Sequence, residues 1–67
     1  MKVGELIKKV HLYKGQGITL IDHSTATTFK TCGRYTFDKD SDEIERLMKL
    51  KVNTFDVNED GLRIYAE

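Results

Sequence analysis

The chain has 67 residues, 39% of them apolar and 33% charged, with 11 basic and 11 acidic side chains that cancel. A chain of this length has room for a single domain, residues 1–67, stable by only a few kcal/mol. Disorder is excluded because the apolar residues recur with a period, a membrane span because none of the apolar runs nears about 20 residues, and strong nonspecific nucleic-acid binding because zero net charge leaves few phosphate contacts to make.

The first segment places Val3, Leu6, Ile7 and Val10 at i, i+3, i+4 and i+7, the apolar stripe of a short helix. Gly4 weakens that helix, and Gly15 and Gly17 mark a break after it. Ile18 to Asp22 is rich in β-branched residues and reads as a strand. Ser24 to Thr27 forms a polar turn, and Thr28 to Phe37 reads as a second strand paired antiparallel to the first. Phe29, Thr31, Gly33, Tyr35 and Phe37 would share one face of it, with Lys30, Cys32, Arg34 and Thr36 on the other, and Gly33 would introduce a bulge or bend.

Asp38 to Ser41 ends that strand. Ser41 is a good N-cap for a second helix whose stripe is Ile44, Leu47 and Met48, with Asp42 and Glu43 near the positive end of its dipole. Two strands then flank Asn58-Glu59-Asp60-Gly61, forming a hairpin. One register sets Val57 opposite Leu62 and Phe55 opposite Ile64; a three-residue loop sets Asn58 opposite Leu62 instead. The first is preferred because it gathers Phe55, Val57, Leu62 and Ile64 on one continuous core face. It sends Asp56, Arg63 and Tyr65 the other way. Gly61 takes a positive φ in either case. The expected fold is α+β, in the order α-β-β-α-β-β. It has two helices, one or both of them packed on a small, mostly antiparallel sheet of about four strands.

No chemical motif survives inspection. Asp38-Lys39-Asp40-Ser41-Asp42 starts like a calcium loop, but Glu43 stands where an EF-hand needs glycine and Lys49 where it needs glutamate. His11, His23 and Cys32 lack paired zinc-ligand spacing, and Cys32 has no base-orienting partner for nucleophilic catalysis. Gly15-Gln16-Gly17 lacks the strand and helix that make a phosphate loop. The chain is therefore expected to be no enzyme and to need no cofactor or metal. A single cysteine without a signal-peptide pattern points to a reducing, cytoplasmic location.

The opening Met1-Lys2-Val3-Gly4-Glu5-Leu6-Ile7-Lys8 and the closing hairpin, Lys51 to Val57 with Asp60 to Tyr65, resemble the ends of small proteins encoded by phages and prophages of Gram-positive bacteria. The stretch from His11 to Gly17 is longer than the usual link in that group. The resemblance implies a mobile-element origin, a bacterial host and an accessory role, with no functional residues to carry over.

These readings converge on a noncatalytic module that binds another protein, with Lys30, Arg34, Arg63 and Tyr65 as the candidate interaction surface. Nucleic-acid binding is the alternative. It would use the basic first half, since residues 1–37 hold six cations against two anions and residues 38–67 five against nine. An exposed edge strand near the C-terminus would also let the chain form a homodimer.

Overall fold

A computed structural model describes residues 1–31, 36–37 and 41–67, and of Ser41 only the backbone. The expectations for Cys32, Gly33, Arg34 and Tyr35, for the turn at Asp38 to Asp40, and for the Ser41 hydroxyl lie outside the described residues.

Two helices and four strands follow in the expected order: α1 (Val3–Lys9), β1 (Gly17–Asp22), β2 (Thr27–Lys30), α2 (Ser41–Met48), β3 (Val52–Asn58) and β4 (Gly61–Ala66). The strands form one mixed sheet in the order β2-β1-β4-β3. Both hairpins pair antiparallel, while β1 and β4 run parallel through the centre. The periodic apolar residues of α1 and α2 pack on one face of this sheet. They build a core from Val3, Leu6, Leu12, Leu47 and the inward residues Ile18, Leu20, Phe29, Leu62 and Ile64.

Local details explain the boundaries. Helix α1 starts where the Glu5 carboxylate accepts a bond from the Lys2 N–H at 3.2 Å, and it stops where Val10 turns extended. Gly4 lies in helix α1 because the helices approach closely there: a Cβ on it would sit 3.3 Å from the Cβ and carbonyl oxygen of Met48. Gly61 is required twice over. Its φ is +126°, and a Cβ would collide with the backbone of Gly17 on the neighbouring parallel strand.

Two expectations need correction. The second strand ends at Lys30, and Thr31 and Phe37 instead bridge each other. Thr31 turns back to the sheet: its N–H donates to the Ile18 carbonyl at 3.0 Å, and its hydroxyl accepts the Ile18 N–H at 3.0 Å. The second correction concerns the terminal hairpin. Its register is the preferred one, with Phe55 opposite Ile64 and Val57 opposite Leu62. Leu62 and Ile64 are buried, but Phe55 is 46% and Val57 62% exposed. All four share a face, since cross-strand partners do. However, β3 is an edge of the sheet, and although Val52 at its start packs against the core, the cover does not extend along it to Phe55 and Val57.

Candidate interaction surface on the open side of the sheet

The face turned away from the helices is built by the alternation of the same strands. Lys30 pairs with Thr19, Thr19 with Arg63, and Arg63 with Asp56, so one row of side chains crosses all four strands. The next row runs Thr28, Ile21, Tyr65, Thr54. Three of the four residues expected at an interaction surface, Lys30, Arg63 and Tyr65, therefore meet on one face. The fourth, Arg34, lies outside the described residues.

Arg63 organises the middle of this surface. Its guanidinium donates to the Asp56 carboxylate at 3.0 Å and lies 5.8 Å from the centre of the Tyr65 ring. The bond it donates to Asp56 raises the Arg63 pKa above its ordinary value, so the cation is permanent. The Tyr65 ring also sits 5.7 Å from the His23 ring. A shallow hollow of about 200 Å³ lies at one end, with Thr19, Lys30, Arg63 and Asp60 among its walls. Ligand pockets run to roughly 300–1,000 Å³, so this one is too small to enclose a drug-sized molecule.

The β3 edge adjoins this face. Lys51 and Glu67 exchange two backbone bonds at 2.9 and 3.0 Å, whereas the Ala66 carbonyl accepts from His23 on the opposite side. Backbone groups alternate along a strand, so Gly61, Arg63 and Tyr65 face β3. Their partners Asn58, Asp56 and Thr54 point inward, and the N–H and C=O of Phe55 and Val57 point out of the sheet edge. The Met1 carbonyl accepts the Val52 N–H at 2.9 Å, and Lys2 bridges Lys51, so the first turn of chain caps the start of that edge. Among the described residues, nothing pairs with it beyond Val52.

Sequence reading missed Asp22. This carboxylate is fully buried at the end of β1, where it accepts from the Ser24 N–H at 3.0 Å, the Ser24 hydroxyl at 2.6 Å and Arg46 of α2 at 3.0 Å. Burial pushes its pKa up, but the bonds from Ser24 and Arg46 outweigh burial and bring it from 3.8 to about 2. The arrangement ties sheet to helix through a carboxylate closed off from solvent, so it is a structural anchor. The Asp-x-Ser spacing of an Asx turn was the available signal. Among the described residues no cluster of histidine, cysteine, aspartate or glutamate could hold a metal, and no helix is long and apolar enough to cross a membrane.

Compared with known protein families, curated proteins and solved structures, the chain finds no match in any of the three.

Proposed function

We propose that the protein is a noncatalytic module that binds another protein through the open face of its sheet. The observation that supports this is the meeting of Lys30, Arg63 and Tyr65 on the face that, among the described residues, no helix covers. An amphipathic aromatic ring beside a held guanidinium is the kind of anchor that protein interfaces favour. The resemblance of both chain ends to phage and prophage proteins fits an accessory protein in the cytoplasm of a bacterial host. Self-association through the β3 edge is the second part of this reading. Nucleic-acid binding is less well served, because the cations divide between surfaces: Lys8 and Lys9 end α1 in the helix layer, while Lys30 stands on the opposite face.

The test is capture from bacterial lysate at low salt, followed by cross-linking and mass spectrometry. The wild-type chain is expected to retain a specific protein cross-linked to the open face, and the Arg63→Glu/Tyr65→Ala variant, checked for folding by circular dichroism, to lose it. No partner above background, or equal capture by the variant, would overturn the reading. Anisotropy of labelled oligonucleotides at about 50 mM salt tests the alternative, which requires binding that weakens steeply as salt rises.

A further inference from the structure

We infer that β3 pairs antiparallel with β3 of a second copy about a two-fold axis passing through Asp56, joining two four-stranded sheets into one of eight. The inference specifies the self-association part of the proposed function. It begins with what the edge can accept. The outward N–H and C=O of Phe55 and Val57 form a short row that an extended backbone satisfies. Beside that row stand the exposed Phe55 and Val57 side chains, which continue the apolar face of Leu62 and Ile64 past the end of the helix layer.

A second copy fits this row because the row is self-complementary. The edge is capped by Met1 at Val52 and ends at the Glu59–Asp60 turn, so the open run is centred near Asp56. An axis at Asp56 pairs Phe55 of each copy with Val57 of the other and uses all four outward residues. An axis at Phe55 would use only the two Phe55 residues and run the rest of the strand into the irregularity between Val52 and Thr54. The stretch carries one charge, Asp56, already held by Arg63 at 3.0 Å, and it has neither the lysine nor the proline that commonly blunts an edge. The chain's zero net charge adds no general repulsion between copies. The contact is small, so the dimer is weak and depends on concentration.

The axis makes a distinctive demand: the two Asp56 residues face each other as a non-hydrogen-bonded pair, with Cα atoms about 4.5 Å apart. That distance lies within disulfide reach. Sedimentation equilibrium should show the wild type passing from the 7.7 kDa monomer to a dimer as concentration rises toward about 1 mM. Val57→Lys, at an exposed position, should weaken association at least about tenfold. Asp56→Asn, which removes the like-charge opposition, should tighten it by roughly 2- to 5-fold. In a Cys32→Ser background, Asp56→Cys should cross-link on mild oxidation far faster than Thr54→Cys. A wild type that stays monomeric throughout overturns the inference and leaves partner capture at Arg63 and Tyr65 to stand or fall on its own test. A dimer in which Asp56→Cys cross-links no faster than Thr54→Cys overturns the register.

Discussion

Strands β4 and β3 belong to one hairpin, and their apolar residues face the same way, yet they meet opposite environments. Ile64 lies directly across from Phe55, fully buried between the helix layer and the parallel partner β1, while Phe55 is nearly half exposed. The difference comes from where the apolar cover lies and not from side-chain type or edge position alone, since β2 is also an edge strand and its Phe29 is buried. The central β4 has neighbours on both sides and the core above it; β3 has one neighbour and, among the described residues, no cover over Phe55 and Val57. The same alternation that makes β4 a core element makes β3 a surface with an apolar stripe and unpaired backbone groups.

The largest effect that could break this contrast is truncation of the two cross-strand partners. Ile64→Ala should cost about 2–5 kcal/mol, enough to unfold much of a domain this small, whereas Phe55→Ala should cost under about 1 kcal/mol by urea denaturation. Comparable losses would mean that β3 is buried as deeply as β4. Gly61→Ala tests how tightly the centre is built. With positive φ and the Gly17 backbone in the way, it should cost on the order of 2–4 kcal/mol, read from the same denaturation curves.

A smaller effect concerns the tie between the centre and α2. The Asp22 carboxyl is depressed to about 2 in the folded chain. The stability it contributes is therefore fully present above about 4 and is lost as pH falls through 2. Arg46 is 40% exposed, and solvent screening trims the contribution to roughly 1–2 kcal/mol. Denaturation curves at pH 7, 4, 3 and 2 should show that loss in the wild type. Asp22→Asn should be less stable at pH 7 and flatter between pH 4 and 2. The smallest effect belongs to the open face, where Asp56→Ala should change monomer stability by less than about 1 kcal/mol because its ion pair with Arg63 is solvent-exposed.

Much of this contrast is legible in the sequence. The turn residues Asp60-Gly61 and the period-two pattern around them set the hairpin register, and so the faces of Phe55, Val57, Leu62, Arg63 and Tyr65. Alternation says which residues share a face, but not whether anything lies over that face, so it does not reveal the exposure of Phe55 and Val57. The strand order was equally hidden. The parallel pairing of β1 with β4 joins residues more than forty positions apart, and no local pattern encodes it. The Asp22–Arg46 contact and the capping of β3 by Met1 and Lys2 depend on the same long-range order. The sequence from Lys30 to Phe37 keeps the alternation of a strand, yet β2 ends at Lys30, and Thr31 and Phe37 bridge each other.

The central claim is that the outer edge of β3 is unpaired within one chain and paired between two. Residue-resolved amide hydrogen exchange by NMR, in dilute and in concentrated solution, tests it most directly. In dilute solution the Phe55 and Val57 amides should exchange far faster than those of Asp56, Leu62 and Ile64, and they should gain protection as concentration rises. Phe55 and Val57 amides as protected as those of Leu62 and Ile64 in dilute solution would contradict the account.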